Sequence, residues 1–265
     1  MKYCCWLLCC AILFLPGCSD LEGPEPIVST FDIAGFSIST KELNFCWHSQ
    51  DTLGVYQAEN DEMAFVYDTA TQTFRGGGWN FRGGYHYTAF YPFKFSNRTS
   101  SAVDIDYASQ QLDVSNAQGA FCRQKYYLCA SAEAASDGVI HFTFHPVGAL
   151  LCLTLHKSPG FTIRQLVLEA SQPIIPVAQR LSLSTTPVIA NTLSWNSSLT
   201  ADVSGDTNAC QTVKLFLMLP ATNEISVLDV TILDTQGAQH SCAARLVFDN
   251  GIVSGHTYKL NTSVS

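Results

Sequence analysis

Residues 139–155 read Val-Ile-His-Phe-Thr-Phe-His-Pro-Val-Gly-Ala-Leu-Leu-Cys-Leu-Thr-Leu, and two patterns meet in them. Ile140, Phe142 and Phe144 alternate with His141 and Thr143. A period of two puts the apolar side chains on one face of a strand and the polar ones on the other. After Gly148 the alternation stops, and residues 149–155 are apolar on nearly both faces. That suits a strand covered on both sides, in the middle of a sandwich.

Short units of the same kind recur in both directions. Residues 63–67, 162–168, 213–219 and 225–233 are apolar or alternating runs bounded by turn residues. Residues 245–249 precede an Asn250-Gly251 turn signal. Tyr258, Leu260, Thr262 and Val264 alternate into a closing strand. No stretch of about twelve residues carries clean helical periodicity, and 101–114 is the expected place for a helical turn or long loop. The fold class is all-β. Tyr87, Phe90, Tyr91 and Phe93 are expected to fill a sandwich core. Pro92 lacks an N–H, which places its strand at an edge or gives it a bulge. His156-Lys157-Ser158-Pro159-Gly160 reads as a domain joint, dividing an N-terminal domain, 29–157, from a C-terminal one, 158–265. Each is the size of a β-sandwich, and a single larger sandwich is the alternative.

Composition narrows the function classes. The chain has 265 residues, 47% of them hydrophobic, enough for a core. It carries a net charge of −8, and its 14 Lys and Arg are dispersed. Binding a polyanion needs clustered cations, so nucleic acid is not an expected partner. After residue 17 no apolar run reaches the ~18 residues of a membrane-spanning helix.

The N-terminus is an address. Lys2 and the apolar residues 4–15 make a signal peptide spanning 1–17. Leu15-Pro16-Gly17-Cys18 resembles a bacterial lipobox, which implies cleavage before Cys18 and attachment of fatty acyl chains (palmitate among them) to that residue. Residues 18–28 are acidic and contain proline, so they read as a lipid-anchored tether. The expected location is the outer membrane, lipid-anchored and exposed at the cell surface. Six cysteines remain in the body: Cys46, Cys122, Cys129, Cys152, Cys210 and Cys242. They allow 15 disulfide pairings, which sequence does not choose among. Cys122 and Cys129 can bridge if they flank a hairpin; Cys152, in an apolar run, reads as a buried free thiol.

Four segments together resemble the fimbrillin-like surface lipoproteins of type V pili. They are Trp47 through Asp51 to Gly54-Val55-Tyr56, then Thr88-Ala89-Phe90-Tyr91-Pro92, then Phe142-Thr143-Phe144-His145 leading into the apolar strand, and Gly255-His256-Thr257-Tyr258 near the end. The resemblance implies two tandem transthyretin-like β-sandwich domains. It also implies assembly by β-strand addition, in which a neighbouring subunit's strand fills an apolar groove. Family pilins mature by cleavage after an early arginine, whereas here the first arginine is Arg75. The expected role is therefore an accessory or anchor subunit of a fimbria, in cell adhesion and pilus assembly, with other fimbrial subunits as partners. A polymerising stalk pilin and a surface glycan-binding lipoprotein are the alternatives, the latter resting on Trp79, Phe81, Tyr85 and Tyr87 as a stacking platform.

No motif points to an enzyme, a cofactor or a metal. There is no Gly-x-Ser-x-Gly elbow, His-Glu-x-x-His, P-loop or Cys-x-x-Cys. His141 and His145 share a strand face but sit about 13 Å apart, too far for one metal. Gly76-Gly77-Gly78 lacks the Lys and Ser/Thr of a phosphate loop and reads as a hairpin.

Overall fold

The computed structural model describes residues 27–29, 31–33, 47–57, 61–76, 81–93, 98, 99, 102–115, 120–136, 140–183 and 187–265. The signal segment 1–17, Cys18, residues 19–26 of the tether, Cys46 and Trp79 lie outside the described residues. Ile27 and Val28, assigned above to the tether, are already strand.

The fold is all-β. Its first sheet is eight-stranded, in the order β1-β5-β4-β3-β6-β11-β12-β2. The strands are β1 (Ile27–Ser29), β2 (Phe31–Ile33), β3 (Thr52–Gln57), β4 (Asp61–Asp68), β5 (Thr73–Gly76), β6 (His86–Tyr91), β11 (Leu128–Glu133) and β12 (Phe142–Pro146). The alternation of 140–144 is realised as expected. Ile140, Phe142 and Phe144 are buried, while His141, Thr143 and His145 are exposed. Tyr87, Phe90, Tyr91 and Phe93 are in the core. The strand before Pro92 is not an edge: β6 lies between β3 and β11. It tolerates the proline because it ends at Tyr91, so no ladder hydrogen bond is missing.

Three further sheets follow. One has the order β10-β18-β13-β22, from Ala120–Phe121, Thr212–Leu219, Ala149–Lys157 and Thr257–Val264. Another has the order β20-β19-β14-β17-β9, from Gln239–Ser241, Val227–Asp234, Ile163–Glu169, Ser198–Ser204 and Gln110–Asp113, with β21 (Leu246–Val247) also on β19. The last has the order β16-β15-β8-β7, from Val188–Asn196, Ile175–Ser182, Ala102–Asp106 and Arg98–Thr99.

One expectation is corrected here, and strand pairing is seen across residues 157 and 158. Residues 101–114 are not helical or loop but contain β8 and β9, turned at Ser109 with φ +53°. The apolar spacing is short: Val103 and Ile105 serve β8, Leu112 serves β9, and all three are buried. The expected boundary at 157/158 does not separate the sheets. β13, which ends at Lys157, pairs along its length with β18 on one side and β22 on the other. The N-terminal half also lends β8, β9 and β10 to β15, β17 and β18. The chain instead leaves the first sheet at Val147-Gly148. A Cβ on Gly148 would lie 2.4 Å from the Leu219 carbonyl oxygen, so the close passage of β18 admits only glycine there. One apolar cluster runs from Leu53 to Val264 across all four sheets.

Gln110 fastens the interleaved segment. It is fully buried, and its amide mimics a strand's backbone. Its Nε2 donates to the Met218 carbonyl at 2.7 Å, and its Oε1 accepts from the Met218 N–H at 2.9 Å. Replacing it by alanine leaves both Met218 groups without a partner away from water. Gln110→Ala is expected to lower unfolding stability by about 2–4 kcal/mol in urea titration, whereas Gln111→Ala, on the exposed side of the same strand, changes it by under about 0.5 kcal/mol.

Candidate functional site

The unusual feature of the first sheet is how it ends. β1 and β2 occupy opposite ends of the strand order, yet only Thr30 separates them in sequence. β1 pairs antiparallel with β5, Ile27 facing Gly76 and Ser29 facing Phe74. β2 pairs in parallel with β12, Phe31 facing Phe142 and Ile33 facing Phe144. Residues 27–33 therefore form a seam that brings the two edges of the sheet together. Among the described residues, three pair on each side of the seam.

The two strands that the seam joins also share an aromatic cluster. Phe74 on β5 and Phe144 on β12 are the inward residues of the two edges, 1% and 0% exposed. Trp47 sits against both, with its ring centroid 4.8 Å from Phe74 and 6.0 Å from Phe144, and 5.1 Å from Tyr91. Tyr67 adds a tilted ring contact to Phe74 at 5.1 Å. The two strands held by the seam are thus also joined beneath it through one indole.

Asp51 fixes the loop that follows Trp47. Its Oδ1 accepts from the Tyr91 hydroxyl at 2.9 Å and from Arg123 Nε at 3.2 Å. Its Oδ2 accepts from the His48 N–H at 2.7 Å and from Arg123 Nη2. The side chains of Asp51 and Arg123 are 10% and 22% exposed, so the pair is largely shielded from water. Burial, with the nearby Asp51 charge, pushes the Tyr91 hydroxyl well above its ordinary pKa, so it stays a donor. The loop of residues 48–51 is thereby pinned and Trp47 is aimed inward. In the same motif, a Cβ on Gly54 would fall 2.4 Å from the Phe93 ring, which explains the glycine before Val55-Tyr56. Sequence reading singled out Trp47 and Asp51 but missed Arg123, 72 positions from Asp51, because no local pattern marks it.

The other sites read from sequence fare differently. Cys18 lies outside the described residues, as does Trp79 of the stacking platform. Phe81 and Tyr87 of that platform are 5% and 1% exposed and pack edge to face in the core, which leaves Tyr85 exposed alone. Cys122, Cys129, Cys210 and Cys242 are free thiols, so Cys122 and Cys129 do not bridge, and Cys152 is buried. Among the described residues no three metal-ligating side chains come together.

A cleft of about 610 Å³ lies against the first sheet, lined by His86, Cys129, Ser131, Thr143 and His145 and, across from them, by Val188. Cys129 stands opposite His145 in register. Burial pushes the Cys129 thiol up to about 11, so it stays protonated and is not an activated nucleophile.

No model of a known protein family matches the chain, and no curated protein sequence does. Solved structures do share its fold. A candidate cell adhesion protein from Bacteroides ovatus superposes with a TM-score of 0.61 at 15% identity, over 90% of this chain and 92% of that one. A second candidate cell adhesion protein, from Bacteroides uniformis, superposes with a TM-score of 0.57 at 11% identity, over 91% of this chain and 97% of that one. At such identities the likeness is one of fold, and it extends over nearly the whole of each chain.

The cluster under the seam should dominate local stability. Trp47→Ala is expected to cost about 3–5 kcal/mol in chemical denaturation, through the cavity it leaves. Asp51→Ala strands the Arg123 charge and the Tyr91 hydroxyl and is expected to cost about 3 kcal/mol. Since both act on one loop, the double variant should cost less than the sum.

Proposed function

We propose that this chain is a fimbrillin-like surface lipoprotein that serves in cell adhesion as an accessory or anchor subunit of a type V fimbria. Acyl chains on Cys18 hold it to the outer membrane, and neighbouring subunits join it by strand addition at the seam. The observation that carries this reading is the seam itself. A short segment near the N-terminus, paired through three residues on each side, bridges two strands whose inward side chains are Phe74 and Phe144. A longer strand from a partner forms more main-chain hydrogen bonds along the same edges, and that difference favours exchange. The four motif segments and the folds of the two adhesion-protein neighbours support the same reading.

The position of Arg75 argues for an accessory or anchor role over a stalk role. It lies within β5, paired with Val28 and Val66, and its guanidinium reaches Asp68 at 3.3 Å. Scission there removes β1 to β4 together, half of the strands of the first sheet, rather than vacating a single groove. An intact N-terminus leaves Cys18 connected to the fold, as an anchor requires.

The test is the mass and N-terminus of the native protein in membrane and sheared-fibre fractions. The expected result is a chain beginning at acylated Cys18, in the membrane fraction and co-purifying there with fimbrial subunits. A shortened chain recovered only from sheared fibres would make it a polymerising subunit instead. An intact chain with no fimbrial partner would leave a free-standing surface lipoprotein and overturn the assembly reading.

A further inference from the structure

The sheet ordered β10-β18-β13-β22 differs from the rest of the molecule in charge. The whole chain carries 22 Asp and Glu against 14 Lys and Arg. The four strands of this sheet contain no Asp or Glu, yet they contain His156, Lys157, Lys214 and Lys259. Alternation divides their side chains between two faces. Leu151, Leu153, Leu155 and Lys157 lie on the buried face with Val213, Leu215 and Leu217. Register builds the other face. Thr154 stands in one rung between Lys214 on β18 and Asn261 on β22. Cys152 stands in the next rung of that face, between Phe216 and Lys259, and His156 stands in a third, between Thr212 and Ser263. Cys152 and Phe216 are buried, whereas Lys214, Lys259 and Asn261 are exposed. At this step lies a pocket of about 250 Å³ whose lining includes Cys152, Thr154, Lys214, Phe216, Lys259 and Asn261.

The chemistry of the pocket is that of a donor set. A lysine ammonium offers three N–H groups and no acceptor, and the Thr154 hydroxyl and Asn261 amide can donate as well. Elsewhere Arg75, Arg123, Lys125, Arg180 and Arg245 each pair with an aspartate. The Lys214 ammonium, the Thr154 hydroxyl and the Asn261 amide have no hydrogen-bond or ion-pair partner among the described residues. Strand spacing and a two-residue step put the Cα atoms of Lys214 and Lys259 about 12 Å apart across β13, so both ammoniums can lean onto one group held above Thr154. Two cations are too few for a polyanion, which needs a run of them. They match a single phosphate group, which carries about −1.5 to −2 charges near pH 7 and presents three acceptor oxygens. The pocket is smaller than the ~300–1,000 Å³ of drug-sized sites, so its ligand is small.

We propose that this pocket binds a phosphate group, free or as a monoester on a small molecule, through the ammoniums of Lys214 and Lys259, the Asn261 amide and the Thr154 hydroxyl. The site lies on a different sheet from the seam, and the inference stands whether or not the chain is fimbrial.

The experiment is calorimetric titration of the full chain in detergent with inorganic phosphate, glucose 6-phosphate, glucose 6-sulfate and glucuronate. The expected result is saturable binding of inorganic phosphate, of glucose 6-phosphate or of both, which weakens as sodium chloride rises from about 20 to about 300 mM. The sulfate ester and the carboxylate, each with a single charge, should bind at least about tenfold more weakly. Lys214→Gln and Lys259→Gln should each weaken phosphate binding about tenfold, and Thr154→Val several-fold. Arg164→Gln, which removes an exposed cation from β14, should leave it unchanged. Binding of glucose 6-phosphate but not of inorganic phosphate supports the site with an ester as its occupant, and the reverse supports it with the free ion. No binding of either phosphate, binding unchanged in Lys214→Gln, or equal binding of the sulfate ester and the carboxylate overturns the proposal. Circular dichroism of each variant confirms that the fold is kept.

Discussion

The pairing of residues 27–33 with β5 on one side and β12 on the other is the constraint on which the N-terminal sheet depends. A sheet of this size has two edges, each with a row of unsatisfied amides and carbonyls. Here one short segment meets both. The strands it joins are nearly as far apart as the sheet allows in strand order, and they also meet beneath it at Trp47. Closure is therefore double: by backbone hydrogen bonds outside and by aromatic packing inside. The pairing layer is made of short strands, whereas the aromatic layer is buried within the fold.

The inner layer in turn depends on a charge. Trp47 precedes the first well-bonded turn of the described core, and a loop residue of that size needs an external fixture. Asp51 supplies it by taking four hydrogen bonds, from His48, Tyr91 and both arms of the Arg123 end group. Hydrogen bonds to a shielded carboxylate are stronger than neutral ones, and their loss leaves a buried cation behind. The polar network and the aromatic cluster are thus one unit in which each orients the other. Function by strand exchange would require such a unit, since the groove must keep its shape while its cover changes.

The two halves of the molecule are not independent. Segment 98–121 leaves the first sheet and pairs with strands of the C-terminal half, and Gln110 ties it there by imitating a backbone. Gly148 lets the chain pass close to β18 on its way back. The sequence break at His156–Gly160 falls at the connection between β13 and β14. Its polar and Pro-Gly composition is that of any tight surface connection, and local composition carries no information on which strands pair across it.

What the residues determined by themselves was everything carried by nearest neighbours along the chain. The all-β class, the buried faces of β12 and β13 and the closing strand were legible, because alternation and turn chemistry act over a few residues, while Trp47, Asp51 and Gly54 stood out only through the family resemblance. The strands at 102–113 were not, since each presents only one or two apolar residues and draws its stability from partners about 75 to 90 positions away. The seam and the Arg123 partner of Asp51 were decided only by the tertiary structure. Edge, burial and ion pairing are relations between distant segments, and a strand's own sequence does not state whether another strand will lie beside it.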